Sequence, residues 1–507
     1  MAIATLSSRL LGLVREQVMA ATFGASGVTD SFTIAYRIPN MLRDLFAEGA
    51  FSSAFVPIFT KVLGEGEEKA KKLLWSMAVI LLIITGIISS LVVIYARPII
   101  FLFTDDLFVS DQNRLELTVQ MVRIMAPFLT LISLAALFMG ALNTLKVFFI
   151  PSLAPAFFNL VMIIFMVFLP PFLRERGLHS ALSLALGVIA GGIVQMMIQI
   201  PLLLKKSFGP RLDWDFRSPW IGSILNRLGI GTIGVAATQI NILVTTILAT
   251  GTQVGAVSWL TYAFRLFQFP VGILSVSLAG SNLVHFSSSL KSGEKREAAA
   301  ILKTSYQASW LVIVPAFCLL LALAPQTVHL IFERGAFDRS DTLQSAMALK
   351  CYLVGLPFYG LYKIFAPVFF ALDKPKVPII ISSVAITANI IFCTLLVPTY
   401  GFSVLALGTS FSMILNCIFQ GVYLRKYLEL SFSFYFPLRI FKFYLAGFVC
   451  WVVAYKLGDV FYLYDDSLIK RIVSYFLVCG ASSLFYFLLI FLQGEFQALK
   501  NLMRKNK

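Results

Sequence analysis

Apolar runs of about 20 residues, the length that crosses a bilayer as a helix, recur along the whole 507-residue chain. Lipid offers no hydrogen-bond partner to a backbone amide, so such runs fold as spanning helices packed side by side. A β-barrel would show short alternating segments instead, and these are absent. The expected class is an all-α polytopic membrane protein. Hydrophobic residues make up 59% of the chain and charged ones 13%, where soluble domains carry roughly 25% charge. No basic lead and cleavage site precede the first run, so no removable signal peptide is expected.

Fourteen candidate spans follow, at about 4–24, 30–60, 73–96, 118–142, 151–170, 180–204, 222–248, 255–286, 301–324, 345–371, 377–397, 402–424, 437–457 and 469–492. Alternate loops then share a side. One set, including 61–72, 205–217, 291–297, 373–376 and the tail from Lys500, holds 22 Lys and Arg; the other holds 7. The excess marks the first set as cytoplasmic and places both termini inside. It also accounts for much of the net charge of +16 without a nucleic-acid partner. No loop is long enough for a sizeable soluble domain, which excludes an enzyme whose chemistry sits outside the membrane.

A repeat runs through the chain. PF at 127–128, ALNTLKV at 141–147 and Asn159 recur as PF at 357–358, ALDKPKV at 371–377 and Asn389. Pro39 and Gly49 similarly match Pro270 and Gly280. Internal symmetry of this kind is characteristic of transporters. It predicts an N-terminal lobe over 1–204 and a C-terminal lobe over 222–427, each of six spans. Two further spans over 437–493 and a basic tail over 494–507 lie outside the repeat.

The first two spans carry what their neighbours lack. Arg9, Arg15, Glu16, Asp30, Arg37, Arg43, Asp44 and Glu48 all fall between Ser8 and Pro57. Each ionised group at bilayer depth costs about 2.5–3.5 kcal/mol on insertion scales. These helices must therefore face a water-filled cavity or each other. In the first span Ser8, Arg15 and Thr22 share one face, and Thr5, Arg9, Gly12 and Glu16 a neighbouring one. Arg15 and Glu16 point about 100° apart, which argues against their neutralising each other within the helix. In the second span Arg37, Asn40, Asp44 and Glu48 form a stripe flanked by Arg43, and Pro39 is expected to kink the helix.

Two readings stand side by side. An ion-pair network could join spans one and two. Alternatively, a cationic cavity awaits an anionic substrate, a task for which arginine's planar, always charged fork suits phosphate and carboxylate oxygens. Arg265 bears on the choice: it lies in the eighth span between Phe264 and Phe267 with no acid within helical reach, and so calls for an anion or an acid from another helix. By the repeat it would face Arg43 across the lobe interface. Lys363 also sits deep in its span, whereas Arg123 and Lys350 lie where long side chains snorkel to the surface.

No nucleophile triad, phosphate-cradling glycine loop or metal-ligand spacing occurs, so no cofactor and no metal is expected. The six cysteines are scattered singly and read as small packing residues. Spans 7, 11 and 12 contain no Asp or Glu, which leaves no carboxylate-built sodium site there.

SSRLLGLVRE, FGAS, TDSF and YRIPNMLRDLFAEGAFSSAFVPIF, with RLFQFPVGILSVSLA and ALNTLKVFFIPSLAPAFFN further on, strongly resemble the MurJ/MviN family. These are bacterial lipid II flippases of the MATE-like exporter superfamily. The resemblance spans essentially the whole chain and implies a two-lobe fold with a central cavity and alternating access in the bacterial cytoplasmic membrane. The implied partner is lipid II, the undecaprenyl-pyrophosphate-linked disaccharide-peptide precursor of peptidoglycan, together with membrane lipids. The family's required arginines fall on Arg9, Arg15, Arg43 and Arg265. Glu16 matches its acidic position and Asp30 its TD aspartate. Relatives carry acids immediately before and three residues after the span-eight arginine; here Phe264 and Gln268 stand instead, so no coupling through those acids carries over.

The combined expectation is a flippase in which Arg15, Arg43 and Arg265 clamp the pyrophosphate and Arg9 adds field. Glu16, Asp30, Arg37, Asp44, Glu48 and Lys363 would be auxiliary cavity residues. Spans 13 and 14 would offer a groove to the polyprenyl tail. The rivals are a flippase for another polyprenyl-linked glycan, a MATE-like exporter, and an intramembrane polyprenyl-phosphate enzyme. A cation exporter would line its cavity with acids, and the enzyme would need converging acids of which Asp105/Asp106 is the one outer pair. A scaffold role for cell-wall synthesis enzymes is compatible as an addition, but does not need buried arginines.

Overall fold

The computed structural model describes residues 2–46, 50–211, 213–278, 286–290, 292, 294–430, 434 and 438–495. Among them the regular structure is entirely helical. In order come α1 (Ala2–Phe23), α2 (Gly27–Phe46), α3 (Ala50–Glu65), α4 (Glu67–Ile94), α5 (Ala96–Phe103), α6 (Asp106–Ser110) and α7 (Gln112–Met125). Next are α8 (Phe128–Thr144), α9 (Phe149–Glu175), α10 (Leu182–Met197), α11 (Ile200–Lys205), α12 (Pro219–Thr250) and α13 (Ala256–Leu278). The chain continues with α14 (Lys295–Ala322), α15 (Ala324–Phe332), α16 (Arg339–Leu353), α17 (Leu356–Ala371), α18 (Lys376–Tyr400) and α19 (Ser403–Leu428). It closes with α20 (Leu438–Phe461) and α21 (Leu468–Leu492).

Helix occupies part of every segment expected to span. Nine helices among the described residues are long and apolar enough to cross a membrane, or ten if the bent pair α16–α17 counts as one span. The protein is thus a multi-pass membrane protein. Helices α1 and α2 fall outside that set because of their charges, Arg9, Arg15 and Glu16 in one and Asp30, Arg37, Arg43 and Asp44 in the other. Pro39 lies inside α2, which runs on through it.

Two compact units emerge from the contacts. The first comprises 1–258 with Arg334–Phe337, the second 259–333 with 338–507. In the first, α9 packs on α1 and α10, α2 on α7, and α12 on α3 and α2. Its core is built on Phe51, Phe55 and Phe59, whose rings stack along one face of α3 because residues four apart lie above one another. Helix α12 packs here, although the repeat assigns its segment to the second half; packing and repeat membership are separate properties.

In the second unit Tyr306, Trp310, Phe365, Phe443 and Tyr486 form the core. Tyr486 donates to the Leu311 carbonyl at 3.1 Å, so the buried hydroxyl is satisfied. The segment 345–371, expected as one span, is bent by 45° between α16 and α17. A bend frees backbone groups that lipid cannot satisfy. Ser410 of α19 meets them: its hydroxyl accepts from the Gly355 N–H at 2.9 Å and lies 2.7 and 3.0 Å from the Cys351 and Tyr352 carbonyl oxygens. Ser410→Ala is expected to cost about 1–3 kcal/mol through the Cys351 carbonyl, since the Gly355 N–H and the Tyr352 carbonyl keep each other at 3.1 Å. Thermal unfolding in detergent would register it, and an unchanged Tm would show that the bend does not rely on that hydroxyl.

Candidate functional site

The first unit gathers most of the charged residues. On α1, Arg9 is exposed, Glu16 is buried and Arg15 is nearly so. The Arg15 and Glu16 side chains meet at 2.6 Å, which corrects the expectation that neighbours 100° apart stay separate. That expectation compared the directions of the Cβ atoms, and the long arginine stem swings its fork across the gap. The second guanidinium nitrogen, Nη1, donates to Asn159 Oδ1 of α9 at 3.1 Å, and Asn159 Nδ2 donates to the Ser8 carbonyl at 3.3 Å.

Helix α2 behaves similarly. Arg43 bonds the adjacent Asp44 with Nε and Nη2 at 3.2 and 2.9 Å. Asp44 Oδ2 also accepts from Gln239 Nε2 of α12 at 3.4 Å, and Arg37 Nη1 donates to Thr246 of the same helix. Arg37 and Asp44 are seven residues apart, as are Gln239 and Thr246. Two turns of each helix therefore bring matched polar groups together along one seam. Gln239 and Thr246 are both buried.

Asp30 is used elsewhere. Its buried carboxylate accepts from Gly255 N at 2.7 Å, from Ser258 N at 2.9 Å and from Ser258 Oγ at 2.7 Å. It thereby caps the start of α13, whose first amides have no partner within the helix. Beside it, Ala336 N donates to the Ala21 carbonyl at 2.9 Å, docking Arg334–Phe337 on the end of α1. Glycine is required on both sides of that contact. Gly24 and Gly335 have φ of 66° and 61°. A Cβ on either would meet a backbone oxygen, of Ala336 at 2.5 Å or of Ala21 at 2.2 Å.

In the second unit Arg265 is exposed on α13. On the same helix Phe264 and buried Phe267 pack against Tyr352, at centroid distances of 5.3 and 5.8 Å. Phe267 also meets Tyr359 edge-on at 5.7 Å, and the exposed Lys363 holds its ammonium 5.4 Å from the centre of the Tyr359 ring. Lys363 thus borders this aromatic cluster. Glu48 lies outside the described residues.

Asn159 figured in the sequence only as a marker of the repeat, and Gln239 and Thr246 did not stand out. The shared spacing of seven along α2 and α12 was the available signal. Among the described residues no group of three His, Cys, Asp or Glu side chains could hold a metal ion.

Comparison with known proteins adds four findings. A family model described as "Lipid II flippase MurJ" matches residues 19–480. The "Lipid II flippase MurJ" of Burkholderia cenocepacia is 34% identical over 427 residues, 83% of this chain and 82% of that protein. Among solved structures, "Lipid II flippase MurJ, inward closed conformation" aligns with a TM-score of 0.77 at 26% identity, covering 96% of this chain and 99% of that one. An inward-facing multidrug MATE transporter of the MOP superfamily aligns at 0.68 with 14% identity over 85% and 98%, a likeness of fold.

Proposed function

The chain belongs to the MurJ family of lipid II flippases, and from that premise we propose that Arg15, Arg43 and Arg265 bind the pyrophosphate of lipid II as its headgroup crosses the membrane. The protein is a transporter, not an enzyme, and its substrate is lipid II. Arg9 adds positive field, and Arg37, Asp44, Glu16 and Lys363 are auxiliary residues of substrate binding. The reading is carried by one observation. Arg15 and Arg43 are carried on two helices of one compact unit with side chains only 14% and 23% exposed, in a chain where burying a charge is costly.

The excess of basic residues in alternate loops supports cytoplasmic termini. Outward movement of an anionic headgroup is then favoured by an inside-negative potential, by about 2.3 kcal/mol per charge per 100 mV. The polyprenyl tail stays in lipid, with α20 and α21 offering it a groove. Contact with cell-wall synthesis enzymes at the outer face is an additional role compatible with this arrangement.

The test is made in bacteria depleted of their own lipid II flippase and supplied with this chain. An externally added enzyme that cleaves lipid II reports the fraction of precursor that has reached the outer leaflet. Restored cleavage supports the assignment. A well-expressed chain that leaves lipid II uncut contradicts it.

A further inference from the structure

We propose that Asn159 is a positioning residue for Arg15, holding one guanidinium nitrogen in place and yielding it to a phosphate oxygen of the substrate. The inference rests on the reading of Arg15 as a pyrophosphate ligand. Asn159 is 7% exposed, midway along the apolar helix α9. Both ends of its amide are engaged, the oxygen by Arg15 Nη1 at 3.1 Å and the nitrogen by the Ser8 carbonyl at 3.3 Å. The second contact fixes the first, because an amide whose nitrogen faces Ser8 must turn its oxygen to the guanidinium.

The two ends of the arginine fork therefore have unlike partners. Nη2 meets the Glu16 carboxylate at 2.6 Å, whereas Nη1 meets a neutral oxygen. Bonds between two ionised groups are the stronger kind. A phosphate oxygen displaces the neutral partner at a gain and the carboxylate at none, so Nη1 is the exchangeable position. The amide's neutrality matters. A second carboxylate at this place would enclose Arg15 between two acids and cancel its attraction for an anion. Asn389, the counterpart in the repeat, accepts from Cys393 Sγ at 3.3 Å and lies against Gly408, where a Cβ would meet its Oδ1 at 2.4 Å.

The order of two substitutions decides the matter in the lipid II cleavage assay, with melting of the purified variants as the control. Asn159→Asp keeps the shape and adds a charge, whereas Asn159→Ala removes the shape and adds none. Export is expected to fall about tenfold or more in Asn159→Asp, the equivalent of one lost hydrogen bond to a charged group, and less in Asn159→Ala. The Tm of Asn159→Asp should stay near that of the natural chain, since pairing of the carboxylate with Arg15 offsets the Ser8 bond that it can no longer donate. A packing role predicts the reverse order, and that order overturns the proposal, as does failure of Asn159→Asp to accumulate. Arg15→Ala separates the two levels. If it abolishes export while Asn159→Asp exports normally, the substrate reading stands and the positioning role falls. If Arg15→Ala exports normally, the substrate reading itself fails and the positioning role with it.

Discussion

Bacteria that depend on this chain are expected to stop exposing lipid II when Arg43 is replaced by alanine. Arg43 is the positive half of an adjacent pair, bonded twice to Asp44 and itself about a quarter exposed. Removing it does more than delete one phosphate contact. It leaves Asp44, still held by Gln239, as a bare negative charge where an anion must pass. A charged hydrogen bond alone contributes about 1.5–3 kcal/mol, and added repulsion brings the expected loss to roughly a hundredfold or more. Asp44→Asn in the same chain should return part of the activity, because it lifts the repulsion without restoring the ligand. Arg265→Ala should match Arg43→Ala in severity without any such rescue. Initial rates of lipid II cleavage at equal expression measure all three. Normal export by Arg43→Ala would remove Arg43 from the binding site.

The second large effect concerns the fold around Asp30. One carboxylate there satisfies two backbone amides and a hydroxyl at the start of α13. Asp30→Ala strands all three donors away from water, at about 1–3 kcal/mol each. We therefore expect a loss of at least about 3 kcal/mol, enough to lower both Tm and membrane accumulation. Asp30→Asn should be milder, as one oxygen can still accept while the new NH2 confronts a donor. Equal melting of Asp30→Ala and the natural chain would show that the cap contributes nothing.

The spans were legible because apolar length is a property of the sequence itself, and helix was found in each expected segment. The break at Leu353–Leu356 was not, because the group that stabilises it, Ser410, lies more than 50 residues away in sequence. The site divides along the same line. Arg15, Glu16, Arg43 and Asp44 stood out as charges in apolar surroundings. Their pairing did not, since helical geometry fixes where a side chain starts and not where a long one ends. Asp30 looked like another cavity acid, and its role at Gly255 and Ser258 depends on a fold-level juxtaposition. Asn159, Gln239 and Thr246 are neutral, so nothing in their charge marks them as the residues that hold the charged ones in place.

The central claim is that this chain moves lipid II and that its arginines act on the pyrophosphate. Purified protein in sealed vesicles carrying lipid II in both leaflets tests it most directly. An external enzyme that cleaves lipid II removes the outer pool at once, and the later, slower fraction reports transfer from the inner leaflet. With the natural chain that fraction should rise until nearly all lipid II is cut, while Arg15→Ala and Arg43→Ala should stay at the level of protein-free vesicles. A natural chain indistinguishable from protein-free vesicles, or arginine variants that transfer at the natural rate, would contradict the account.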